Sequence, residues 1–198
     1  MLDRAEMARP LVVAMIIIGL ILLLSCSRGA LSQTAPSTQP TTVILVRHAE
    51  KAAEPANDPG LTPDGERRAH DLAQVARDAG VTAVITTQFA RTRATAQPLA
   101  SALSITPEVI DARGATHAQD VATAVRRHAG QVVLVVGHGN TIPAIIAALG
   151  AAQPPPICDP EYDNLYVVTV PASGPARLIH ARYGASTPVA AGCGPMMR

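Results

Sequence analysis

Aromatic side chains are scarce: the 198 residues include no tryptophan, one phenylalanine and three tyrosines, and aliphatic Ala, Val, Ile and Leu supply the apolar mass. An excess of charge of either sign is also missing, since 16 basic residues face 15 acidic ones. A chain that grips a polyanion needs clustered, unopposed Lys and Arg, so this balance argues against a nucleic-acid partner. Lysine is nearly absent, with Lys51 the only one; a GC-rich coding bias accounts for that, and it carries no functional reading. No His, Cys or Asp spacing matches a metal site, and the cysteines, isolated in sequence, argue against a metal or redox role. Internal repeats are lacking. At this length the chain is large enough for one well-packed domain and too short for two comfortable ones.

One long apolar run exists, from Leu11 to Leu24, preceded by Arg4 and Arg9 and followed by Ser25 and Cys26. It is short for a membrane span and suits the core of a signal peptide. The stretch "LLSC" resembles the lipobox of bacterial lipoproteins, which implies a lipidated Cys26 as the mature N-terminus; Asp3, Glu6 and Leu24 fit less well. An uncleaved anchor and ordinary secretion are the alternatives, and all three place the rest of the chain outside the cytoplasm. The expected organisation is a signal peptide over residues 1–26, a flexible Ser/Thr/Gln/Pro tether over 27–41 that cannot bury a core, and a single domain over 42–198.

Within that domain, apolar runs alternate with helical patterns. Val43–Val46, Val81–Thr86 and Val132–Val136 read as buried strands by their β-branched content, and Leu165–Val170 and Ala176–Ala181 as late strands. Helices are expected from a Thr62 cap through Ala69, Leu72, Ala73 and Ala76, then over Arg91–Leu103, Ala118–His128 and Ile142–Leu149. A brief extended piece falls around Pro107–Ile110. The alternation predicts an α/β fold, a three-layer α/β/α sandwich around a mostly parallel sheet, with ligands bound beyond the carboxyl ends of the strands.

Those carboxyl ends hold the unusual residues. "VILVRHAEK" ends a strand in Arg47 and His48, "TTQFARTRATA" carries Arg91 and Arg93, and "VVGHGNT" places His138 between Gly137 and Gly139. Arginine forks onto phosphate oxygens and keeps its charge when partly buried. A neutral imidazole can attack phosphorus, and a second can stabilise the equatorial oxygens. Together they suit a phosphoryl dianion.

These stretches resemble, in the same order, the three motifs of the histidine phosphatase superfamily, the phosphoglycerate mutase-like family, over essentially Thr42 to the C-terminus. The resemblance implies a phosphoglycerate mutase-like fold, His48 as the nucleophile that becomes phosphohistidine, and Arg47, Arg91 and His138 as the rest of the phosphate pocket. It implies no cofactor and no metal. Arg91 rather than Arg93 takes the pocket role because Thr95-Ala96 follows it as the family's Thr-Ala pair does. Glu50, Gly139 and Asn140 are further candidates for substrate contact; Asn140 or Thr141 could instead cap the next helix. The resemblance points to a phosphatase acting on a small phosphorylated molecule or a phosphoprotein; a mutase-type phosphotransferase and a silent phospho-ligand-binding module stay open. With Cys26 lipidated, Cys158 and Cys193 remain as one pair, expected as a disulfide in this oxidising setting. The proton donor for the leaving group has no motif: Glu50, Glu108, Asp111, Asp120 and Asp163 are the acids within reach of consideration.

Overall fold

The computed structural model describes residues 39–188. The expected signal peptide, most of the tether, Cys26 and Cys193 lie outside the described residues. The chain runs β1 (Thr41–Arg47), α1 (Pro63–Ala76), β2 (Val81–Thr86), α2 (Ala90–Ala102), β3 (Glu108–Val109), α3 (His117–Arg127), β4 (Val132–Gly137), α4 (Ile142–Ala148), β5 (Asn164–Val170) and β6 (Arg177–Arg182). The strands form one sheet in the order β3-β2-β4-β1-β5-β6. Pairings β1–β4, β2–β4 and β2–β3 are parallel, while β5 is antiparallel to both β1 and β6. β5 alone therefore runs against its neighbours, and the mostly parallel sheet expected from sequence is what forms.

Alternation along the central strands explains the layers, because successive side chains point to opposite faces. Val43 and Leu45 of β1, with Val133 and Val135 of β4, bury against Val121 and Val125 of α3 and Ile142, Ile145 and Ile146 of α4. Ile44, Val46, Leu134 and Val136 point the other way, onto Leu72 and Ala76 of α1 and Ala96, Leu99 and Ala100 of α2. Both faces of the sheet are thus covered, which gives the α/β/α sandwich. A register shift between Val81 and Ala83 puts Val81 on the α1–α2 side although Ala83 and Ile85 face α3 and α4.

Local signals worked where they were local. The Thr62 hydroxyl accepts the Gly65 amide at 3.1 Å, and Pro63 follows at the first helical position, as the cap reading requires. Pro98 sits inside α2, within the span expected to be helical. The central parallel strands β1 and β4 end together: Arg47 pairs in register with Gly137, and the His48 amide donates to the Gly137 carbonyl at 2.9 Å. That junction puts the first and third motifs side by side.

Candidate active site

His48 leaves the end of β1 with its imidazole 4% exposed. Its Nδ1 lies 2.8 Å from the Ala49 carbonyl. A carbonyl can only accept, so this bond assigns the proton to Nδ1 and leaves the Nε2 lone pair free. Burial, seconded by the charges of Arg47, Arg91 and Lys51, lowers the His48 pKa to about 3. The ring is neutral at physiological pH and is a competent nucleophile. His138 sits where β4 turns into α4, its amide held by the Thr141 hydroxyl at 3.1 Å. The same hydroxyl makes no side-chain cap of α4, so the capping role open to Thr141 is replaced by one of fixing His138. The His138 Nε2 meets the Thr87 hydroxyl at 3.1 Å, and Thr87 meets Thr92 at 2.9 Å. Burial again lowers the pKa to about 3, aided by the nearby His48. The two rings stand edge to face with centroids 5.4 Å apart.

Each imidazole has an arginine beside it. Arg47, 4% exposed, donates through one terminal nitrogen to the carbonyls of Cys158 and Asp159 at 2.8 Å and of Glu161 at 3.3 Å. Its other terminal nitrogen bonds the Asp159 carboxylate at 3.0 Å. Arg91, in the first turn of α2, lies 3.8 Å from the Asp58 carboxylate. Burial, partly offset by Asp58, lowers its pKa, but a guanidinium stays charged throughout the working range. The Nε–H of both arginines is buried without a hydrogen-bond partner. Leaving such a donor unmet costs about 1–3 kcal/mol, more for a charged group. Two guanidinium groups within electrostatic reach of two neutral imidazoles suit a tetrahedral oxyanion. Gly139 keeps this corner open: a Cβ there would stand 3.0 Å from the Ile157 carbonyl and 3.7 Å from Arg47 Cδ and Nε.

Exposed Asn140 lines a pocket of about 150 Å³ with Phe89, Arg91, Ala112, His138 and Thr141. A wider cavity of about 710 Å³, around Pro154–Pro156, Tyr166 and His180, contains none of the four motif residues. Glu50, a candidate for substrate contact, accepts through both carboxylate oxygens from Arg68, at 2.8–3.0 Å. Arg93 donates to the Gln88 carbonyl at 2.7 Å, outside the pocket as expected. The acids considered as proton donors are all engaged: Asp111 with Gln88 and the Arg113 amide, Asp163 with Arg182 and Thr187, Asp120 with Thr116, and Glu108 with Arg127. Cys158 is buried. Among the described residues no group of His, Cys, Asp or Glu could hold a metal, and no helix is long and apolar enough to cross a membrane. Sequence reasoning missed Asp58, Asp159, Thr87, Phe89 and Tyr162 as neighbours of the motif residues. The latter two stack on Arg91 and Arg47. Only Thr87 and Phe89 fall within a motif; nothing local marks the others.

A sheet of this order, covered on both faces, with two histidines and two arginines at its carboxyl edge, defines a phosphoglycerate mutase-like α/β protein. Residues 43–113, which contain the first two motifs, match the model of the histidine phosphatase superfamily (branch 1). His138 lies beyond that match. Over 69 residues, 32% of this chain and 32% of the relative, the sequence is 39% identical to "Probable phosphoglycerate mutase GpmB" of Yersinia enterocolitica. The match thus spans about a third of that curated relative. The structure of "Putative Phosphohistidine Phosphatase SixA" from Nakamurella multipartitia superimposes with a TM-score of 0.54 at 27% identity, covering 76% of this chain and 99% of that one. A mutant phosphoserine phosphatase from Entamoeba histolytica, in complex with phosphoserine, shares the fold with a TM-score of 0.53 at 16% identity, over 70% and 94% of the two chains.

Proposed function

We propose that the protein is a phosphatase that works through a phosphohistidine on His48. The observation that carries this reading is the pair of buried, unpartnered arginine Nε–H groups beside two neutral imidazoles. In the first step Nε2 of His48 attacks phosphorus, the N–P bond forms, and the bond to the leaving group breaks with its electron pair departing on the leaving atom. Arg47, Arg91 and His138 stabilise the charge on the transferring oxygens. Water then attacks phosphorus, the N–P bond breaks, and inorganic phosphate leaves. The substrate is a phosphomonoester or phosphoramidate of a small molecule or a protein.

Phosphate release from an aryl phosphate tests the reading, with His48→Ala as the control. Turnover should vanish in a folded variant, because no other group forms the covalent intermediate. More than a few per cent of residual activity refutes the assignment, and an inactive wild type favours the silent phospho-ligand-binding module. The sequence match to a named mutase supports a second reading, a phosphotransferase; transfer of label to an acceptor alcohol in place of water would select it. If none of the candidate acids protonates it, the leaving group departs as a stable anion or already protonated. We expect kcat/KM to fall steeply as leaving-group pKa rises, since a missing general acid forfeits about 10²–10⁴ in rate for a poor leaving group. Equal rates for alkyl and aryl phosphates would reveal a hidden acid.

The location belongs to the same proposal. The sequence around Leu11–Cys26 supports an extracytoplasmic enzyme held to a membrane by lipid on Cys26. A disulfide between Cys158 and Cys193 is consistent with that setting. A diacylated or triacylated N-terminal cysteine by mass spectrometry is the expected result.

A further inference from the structure

We propose that Phe89 and Tyr162 are positioning residues for the phosphate pocket: each holds one pocket guanidinium by its ring face and fixes its plane without occupying its N–H donors. The inference rests on the phosphatase reading of the site and deepens it. Arg47 lies over the Tyr162 ring with 4.3 Å from its guanidinium carbon to the ring centroid, and Arg91 lies over the Phe89 ring at the same 4.3 Å. The two aromatic residues come from unrelated segments, Phe89 between β2 and α2 and Tyr162 just before β5. Each arginine also meets one carboxylate, Asp159 or Asp58, and each keeps one buried donor, its Nε–H, without a partner. The same three-part arrangement is therefore built twice.

The scarcity of aromatics makes this pairing informative. The chain has one Phe and three Tyr. Tyr166 and Tyr183 are 3% and 4% exposed in the core, where Arg68 stands over Tyr183 at a looser 5.7 Å, and the other two flank the imidazoles, with ring centroids 5.3 Å apart for Phe89 and His138 and 6.2 Å for Tyr162 and His48. Arg113 also stands over Phe89, more loosely, at 5.5 Å. A ring face attracts a guanidinium without consuming any of its donors. A carbonyl or carboxylate in the same place would take the donor that phosphate needs. Aromatic support thus fixes the plane of a guanidinium without occupying its donors.

The test is binding of inorganic phosphate to the purified full chain by titration calorimetry, alongside KM and kcat for an aryl phosphate. Tyr162→Leu and Phe89→Leu should each weaken phosphate binding by about 3- to 30-fold, with one site per folded molecule retained. Tyr162→Phe and Phe89→Tyr, which keep the ring, should bind within about twofold of wild type. A purely structural role would lower the folded fraction and leave the dissociation constant unmoved. Should the leucine variants fail to fold, mono-, di- and trifluorinated phenylalanine at position 89 keep the shape while weakening the ring's negative face. Affinity should then fall stepwise with fluorination. Wild-type affinity in the leucine variants, no trend across the fluorinated series, or a Tyr162→Phe variant as weak as Tyr162→Leu each overturns the inference. Wild-type protein that neither binds phosphate nor releases it from esters refutes the reading of the site itself, and the inference with it.

Discussion

Arg47 and Arg68 are both buried, 4% and 3% exposed, yet their surroundings differ in one respect. Arg68 spends every nitrogen: Nε and one terminal nitrogen bond Glu50, the other bonds the Tyr183 carbonyl at 3.0 Å, and Ala185 accepts a further bond at 2.8 Å. Arg47 is gripped as tightly by the 158–161 segment but leaves its Nε–H unmet. A buried guanidinium bonded through every nitrogen is accounted for within the folded chain. One whose Nε has no partner keeps a donor for the phosphoryl oxygens of the proposed reaction. Glu50 is taken up by the first of these.

The comparison breaks first at the pocket arginines. Arg47→Ala and Arg91→Ala should each lower kcat by about 10²–10³, the cost of losing one preorganised donor to the developing charge. Steady-state kinetics on an aryl phosphate would show it. Near-normal kcat/KM in either variant would mean that its unpartnered Nε–H has no ligand to meet.

Much of this architecture could be read locally. The β-branched runs Val43–Val46 and Val132–Val136 are the two central strands, and the residues ending them, Arg47, His48 and His138, arrive at one edge because parallel strands end in register. The Thr62 cap and the layer order also follow from short-range pattern. Glu50 could not be read this way. It stands two residues from the nucleophile, and only the fold brings Arg68 of α1 to it, with the carbonyls of Tyr183 and Ala185 holding that arginine in turn. Asp58, Asp159 and Tyr162 are equally silent in sequence, since their partners Arg91 and Arg47 lie 33, 112 and 115 positions away by residue number. Side-chain periodicity reports which face is buried; it does not report which charge waits there.

Arg68 sharpens the contrast from the stability side. Arg68→Met leaves the Glu50 carboxylate, 21% exposed at its side chain, without its cation. Breaking a buried pair by removing one partner costs about 3–5 kcal/mol. The urea midpoint should drop accordingly, while kcat/KM per folded molecule stays within about twofold of wild type. The double variant Glu50→Gln with Arg68→Met should recover part of the loss, because no buried charge is then left alone. A large fall in kcat with unchanged stability would instead place this pair in the catalytic apparatus.

The last effect concerns acid. His48 and His138 titrate near 3 in the folded chain because burial disfavours their charged forms, against 6.5 for an ordinary histidine. His117, bonded through Nδ1 to the Asp111 carbonyl, and His180 are lowered by burial as well. Below pH 6.5 the unfolded chain takes up protons that the folded chain refuses, so stability falls as pH falls. The loss accumulates until the folded histidines protonate near pH 3, and for each active-site ring a shift of that size corresponds to roughly 5 kcal/mol. Asp163, whose pKa is held down by Thr187 and Arg182 against the opposing pull of burial, adds a loss of the same sign only once pH falls to the ordinary carboxylate value of 3.8. The interval above that value and below 6.5 therefore belongs to histidine. Urea melts across it should show a declining stability that is markedly flatter in the double variant His48→Asn with His138→Asn. An identical slope in the variant would mean that the two rings are hydrated and titrate normally, and the neutral nucleophile assigned to His48 would lose its physical basis.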